Sequence, residues 1–166
     1  RICGFELMVA PYVICHMRIE LALRGTGYKI KRGQRLNVYL TNSLEQDRSS
    51  SMHLFPDFIA KEYSEANEIK SKRNMTVILG NPPYSNSTTK NEWIMDLIKP
   101  YKEGLNEKKT DLNREEWKFI RVASYYSSPN TPHILGYIIN NAILKAITHR
   151  QMRRVILDEY SKLHVL

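Results

Sequence analysis

Only two cysteines, Cys3 and Cys15, occur in the 166 residues. They lack metal-ligand spacing and cannot supply a disulfide framework, so they are expected to be free thiols in a reducing, cytoplasmic setting. The histidines (His16, His53, His133, His149 and His164) are scattered, and no pair has zinc-protease or zinc-finger spacing. No metal is expected. No run of about 18 apolar residues is present, so no membrane-spanning helix is expected. The start, with Arg at residue 1, carries no secretory pattern. A Gly-Lys-Ser/Thr phosphate loop and a nuclease carboxylate cluster are also missing, as are internal repeats and low-complexity segments. Acidic residues are in the minority. Lys and Arg number 25 against 17 Asp and Glu, giving a net charge of +8. Such a balance suits a polyanionic partner. Arg24, Lys29, Lys31, Arg32 and Arg35 lie in a stretch with no acidic residue, and Arg150, Arg153 and Arg154 share a helical face. A solvated surface is the plainer reading of either cluster alone.

What is present suffices for about one domain, because 42% of the residues are hydrophobic. The residues up to Phe5 read as a short strand ending at Glu6. Tyr12 to Arg24 reads as a helix with Val13, Ile14, Met17 and Leu21 at helical spacing, stopped by Gly25 and Gly27. Leu36 to Leu40 reads as a strand, followed by the loop Thr41-Asn42-Ser43. Gln46 to Phe55 is polar and Ser-rich, which suits a loop. Asp57 to Arg73 reads as an exposed helix with Phe58, Ile59, Tyr63 and Ile69 as its apolar side. Met75 to Leu79 is a third strand, and Asn86 to Lys90 a polar loop. Glu92 to Ile98 and Arg114 to Tyr126 read as helices, separated by the charged stretch Lys102 to Asn113. Ser127 to Pro132 is a turn, Ile134 to Ile139 a strand, Thr148 to Tyr160 a helix, and Leu163 to Leu166 a final strand. This alternation predicts an α/β fold with a parallel sheet.

The most specific feature is Asn81-Pro82-Pro83-Tyr84, directly behind the apolar run Met75 to Gly80. Open α/β sheets bind ligands beyond the carboxyl ends of their strands. An exocyclic base amine is a poor nucleophile because its lone pair is delocalised into the ring. Acceptors aimed at its hydrogens favour the pyramidal, nucleophilic form and stabilise the developing positive charge. The Asn81 side-chain oxygen and the Pro82 carbonyl are two such acceptors. Successive prolines fix φ near about −65° and hold the preceding residue extended, so Pro82 and Pro83 keep the loop stiff. The Tyr84 ring offers a face to a flipped base, a contact worth about 1–3 kcal/mol. Ser85 is the next residue, and support of the loop is its plainer role. The bland alternative is a turn after a strand, since Asn-Pro and Pro-Pro are ordinary loop punctuation.

Several segments occur in a familiar order. They are Gly4-Phe5-Glu6-Leu7, Ala10-Pro11-Tyr12, Arg35 through Glu45, Asn81 through Ser85, Lys118-Phe119-Ile120-Arg121, Gly136 through Asn141 and Arg150 through Arg154. Together they span nearly the whole chain. The series resembles the modification segment of single-polypeptide, type I-like (ISP) restriction–modification enzymes with adenine-specific DNA methyltransferase activity. The resemblance implies a Rossmann-like methyltransferase sheet, S-adenosyl-L-methionine as cofactor, and double-stranded DNA as partner. It implies methyl transfer to a flipped adenine amine, with Asn81, Pro82 and Tyr84 in the catalytic motif and Pro83 and Ser85 lining the target-base side. No covalent enzyme intermediate is needed, so Cys3 and Cys15 receive no role.

On the cofactor side, the resemblance puts Glu6 where a carboxylate takes the ribose hydroxyls. A carboxylate can accept from two hydroxyls at once. Glu6 would need no explanation as a surface carboxylate. Asn42 stands where the family carries Asp facing the adenine amine of the cofactor. An amide oxygen accepts without charge, and an Asn that caps its own turn is the alternative. The family's glycine-rich turn should precede the acidic residue by about twenty residues. None of the seven glycines here forms it. The chain is therefore expected to be a truncated methyltransferase sheet. Residues 1–45 would form the cofactor-side half, 46–74 a loop and exposed helix, and 75–166 the target-base half. The remainder of the parent polypeptide would supply the glycine-rich motif upstream and a target-recognition domain downstream. Alone, the chain is expected to bind S-adenosylmethionine weakly or not at all. Rival readings are a methyltransferase for RNA base amines or protein glutamine amides, and a noncatalytic DNA-binding remnant of the fold.

Overall fold

The computed structural model describes residues 2–31, 33–46, 57–72, 74–84, 90–106, 111–127 and 131–166. The expected loops at 46–55 and 86–90 lie almost wholly outside this range, as does the middle of the expected turn at 127–132. The chain divides into two compact units, one of Arg1–Ser43 with Asp47–Lys72 and one of Leu44–Gln46 with Arg73–Leu166. Both units are α/β with parallel strand pairs, as the alternation predicts.

In the first unit, β1 (Gly4–Glu6) pairs in parallel with β2 (Val38–Leu40), with Glu6 opposite Leu40. β2 is wholly buried. Between them runs α1 (Val9–Gly25). It ends as the glycines predict. Gly27 adopts a φ of 83°, where a side chain would be strained, and the Gly27 and Tyr28 N–H groups cap the Arg24 and Leu23 carbonyls. The residues at helical spacing in α1 do not form its inward side. Val13, Ile14, Met17 and Leu21 are exposed, whereas Cys15, His16, Ile19 and Leu23 are half-buried. This helix is apolar on both sides, so spacing alone did not identify the inward one.

α2 (Asp57–Ser71) corrects a second expectation. Its buried residues are Glu62, Ala66, Asn67 and Lys70, and Phe58 is exposed. A polar face goes inward because β2 ends in polar groups that need partners. The Glu62 carboxylate accepts the Leu40 N–H at 3.1 Å and the Arg35 guanidinium at 2.7 Å and 2.9 Å. Burial alone would raise the Glu62 pKa. The Arg35 hydrogen bond and charge and the Leu40 N–H outweigh it and hold the group below its ordinary value. Lys70 donates to the Thr41 hydroxyl and the Asn42 carbonyl, both at 2.9 Å. Arg35 and Arg24 of the basic stretch are both paired, Arg35 with Glu62 and Glu65 and Arg24 with Glu20.

In the second unit, β3 (Val77–Gly80) pairs in parallel with β4 (Ile134–Tyr137), with Gly80 opposite Tyr137. The connection carries α3 (Glu92–Leu97) and α4 (Glu115–Tyr126), with 3-10 turns at Lys99–Lys102 and Asp111–Asn113. Asn91 caps α3, accepting the Ile94 N–H at 2.9 Å while donating to the Leu44 carbonyl at 2.7 Å. The short helix α5 (Ala142–Lys145), which periodicity does not reveal, precedes a 3-10 turn and α6 (Arg150–Glu159). Arg153 is structural, donating to the Ile143 and Ala146 carbonyls at the end of α5. The core gathers Ile98, Tyr101, Leu112, Trp117, Ile120, Met152 and Ile156, with Leu135 and Tyr137 of β4 packed against it. Leu163 to Leu166 is not a strand. It has no ladder partner among the described residues and is exposed.

Candidate functional site at the strand ends

Each parallel pair presents a carboxyl end, where backbone groups run out of ladder partners. In the second unit that end carries Asn81-Pro82-Pro83-Tyr84. Ile78 is the half-buried member of β3, and the chain leaves the ladder after Gly80. The approach of β4 there is close. A Cβ on Gly80 would lie 2.9 Å from Cε1 of Tyr137, and one on Gly136 would lie 2.8 Å from the side chain of Leu79. Glycine at both positions lets the two strands register. The Tyr137 ring packs on the core, and burial pushes its phenol pKa up to about 12.

Past the ladder, the Ile138 N–H still donates to the Gly80 carbonyl at 3.2 Å. Pro82 is buried, while Asn81, Pro83 and Tyr84 are exposed. The motif is therefore anchored by one proline and presents its polar and aromatic groups outward. The Tyr84 hydroxyl lies 3.2 Å from the Asn81 side-chain oxygen and 2.9 Å from the Ile138 carbonyl. Asn81 and Tyr84 are thus brought together within the turn. Ser85 lies outside the described residues. The Ile138 carbonyl has no sequence signal, since any residue supplies one.

In the first unit, the carboxyl end carries Glu6 and Asn42 on neighbouring strands. The Thr41 N–H donates to the Glu6 carbonyl at 2.8 Å, which fixes their separation along the chain. Glu6 is half-buried. Its Oε1 accepts the Met8 N–H at 2.9 Å, and its Oε2 makes no hydrogen bond among the described residues. The carboxylate is thereby oriented by its own turn, and a carboxylate, which can accept from two hydroxyls at once, fits the donor set of a ribose. The Asn42 carbonyl is held by Lys70, so its loop is fixed from below.

Parallel strands whose carboxyl ends carry polar turns place the fold among the open α/β folds that bind ligands at those ends. Residues 2–165 match the model of the Eco57I restriction-modification methylase family. The chain belongs to that family. No curated protein matches it in sequence. Among solved structures, it is similar to the ATP-dependent Type ISP restriction-modification enzyme LlaBIII bound to DNA. The TM-score is 0.77 and the identity 21%, covering 93% of this chain and 11% of that one. It is also similar to DrdV in a DNA complex, with a TM-score of 0.76, 23% identity, and coverage of 95% and 16%. A nuclease-deletion mutant of the Type ISP enzyme LlaGI, in complex with a DNA substrate mimic, matches with a TM-score of 0.75 and 16% identity, covering 95% and 15%. The chain therefore spans under a fifth of each of these proteins.

Proposed function

We propose that this chain is a segment of an adenine-N6 DNA methyltransferase within a larger restriction–modification polypeptide. The observation that carries the proposal is the Asn81-Pro82-Pro83-Tyr84 turn, set directly at the carboxyl end of a parallel strand with Asn81 and Tyr84 in contact. Family membership supports methyl transfer, and the DNA-bound state of the three solved relatives supports the substrate. The net charge of +8 agrees with a polyanion. A cytoplasmic location goes with this reading, and no described helix is long and apolar enough to cross a membrane.

S-adenosylmethionine supplies the electrophilic methyl group when bound. Glu6 would accept from the ribose hydroxyls through Oε2, and Asn42 would meet the cofactor's adenine amine. Asn81 Oδ1 and the Pro82 carbonyl would accept from the target amine. Acceptance from both hydrogens draws the nitrogen toward the pyramidal form and stabilises the charge that grows on it. The stiffness of the two prolines keeps both acceptors aimed, so little reorganisation is needed. The Tyr84 ring would stack on the flipped base, and Pro83 and Ser85 would line the same side. No side chain here needs to act as a nucleophile.

The test offers DNA, RNA and protein in parallel to the full-length protein with methyl-labelled cofactor. Label in DNA as N6-methyladenine is expected. Label in RNA or in protein glutamine, with none in DNA, would replace this reading.

A further inference from the structure

The Tyr84 phenol has one proton and two acceptors within reach. Ile138 O is 2.9 Å away and Asn81 Oδ1 is 3.2 Å away. A hydroxyl donates to only one of them at a time. The acceptors belong to different strand ends, for Asn81 follows β3 and Ile138 follows β4. Ile138 is itself held, its N–H donating to the Gly80 carbonyl. The phenol oxygen therefore bridges the carboxyl ends of both strands. Tyr84 is 49% exposed, so burial does not force this geometry, and water would satisfy the hydroxyl as well.

We infer that the Tyr84 hydroxyl is a positioning group that ties the stacking ring to the end of β4. It donates to the Ile138 carbonyl, the nearer of its two acceptors, and leaves Asn81 Oδ1 to take a base amine. The inference rests on the adenine-amine reading above. The phenol stays beside Asn81 without occupying its oxygen, and the stacking face stays put as the base enters. The group touches neither the methyl carbon nor the attacking nitrogen, so its effect passes through the placement of the ring and of Asn81.

The experiment compares wild type, Tyr84→Phe and Asn81→Ala in the full-length protein, measuring methyl transfer to unmethylated plasmid DNA at varied DNA concentration. Phenylalanine keeps the ring and removes only the oxygen. We expect kcat to fall about five-fold in Tyr84→Phe, as for one ordinary hydrogen bond, with KM for DNA unchanged to within about two-fold. An unchanged kcat, or a loss confined to KM, overturns the inference. If Tyr84→Phe matches wild type while Asn81→Ala is inactive, only this inference fails. If wild type labels no adenine, the reading beneath it fails and takes the inference with it.

Discussion

Replacing Gly80 with alanine perturbs the motif without touching it. The new Cβ would stand 2.9 Å from Cε1 and 3.4 Å from Cδ1 of Tyr137. Comfortable carbon contacts lie at about 3.5–4.0 Å, so the ring or the strand must give by about half an ångström. The ring cannot swing freely, because it packs against the Ile98–Trp117–Met152 core. Overpacking of this kind costs about 1–3 kcal/mol, and the lower chain entropy of alanine offsets about 0.4–1 kcal/mol of it. A net loss of about 1–2 kcal/mol should fall on the end of the β3–β4 ladder. Hydrogen exchange at the Ile138 amide reads it directly, since that N–H closes the ladder on the Gly80 carbonyl. Asn81 is the next residue, and a displacement near 1 Å at a reacting group can cost about a hundred-fold in rate. Methyl transfer should therefore fall by more than the stability change alone implies. The control is a Tyr137→Val background, where the ring is absent and Gly80→Ala should cost little. An equal cost in both backgrounds, or no cost in either, would refute the steric account.

Four further outcomes follow from the structure. Arg35→Ala leaves the buried Glu62 carboxylate with only the Leu40 N–H and the Tyr12 hydroxyl and no cation, and should cost about 2 kcal/mol, less than a fully buried pair because Arg35 is a third exposed. The Glu62 pKa is held below its ordinary 4.5 in the folded chain, so its contribution is complete above that pH and lost as pH falls through the folded value. Protection of the Leu40 amide, relative to its intrinsic exchange rate, should fall on acidification below about pH 4.5 in wild type, and much less in Glu62→Gln. Trp117→Ala empties the centre of the second unit's core and should cost about 3–5 kcal/mol, read by denaturant unfolding. Glu6→Ala should weaken S-adenosylmethionine binding to the full-length protein by about ten-fold, read by calorimetry, with DNA affinity unchanged.

The parts of the fold that depend on local chemistry were legible in the sequence. The β3 run and its turn, the β4 run and the glycine stop of α1 all stand where apolar spacing and backbone preference put them. Features set by partners distant in sequence were not. The inward side of α1 could not be chosen because both sides are apolar. The buried Glu62 and Lys70 of α2 read as surface charges until Leu40, Thr41 and Asn42 appear as their partners. The segment Leu163 to Leu166 has the composition of a strand, yet a strand needs a neighbour. At the candidate site, residue types pointed to Asn81, Pro82 and Tyr84, and the family resemblance pointed to Glu6. The Ile138 carbonyl and the ring of Tyr137 over Gly80 emerge only from the pairing of β3 with β4.

The central claim is tested most directly by transfer of labelled methyl from S-adenosylmethionine to DNA by the full-length protein, beside its Asn81→Ala variant, with nucleosides separated after digestion. The account predicts label in N6-methyladenine for wild type and a loss of at least about a hundred-fold in the variant. Label in another nucleoside, or undiminished label in adenine from a folded Asn81→Ala protein, would contradict it.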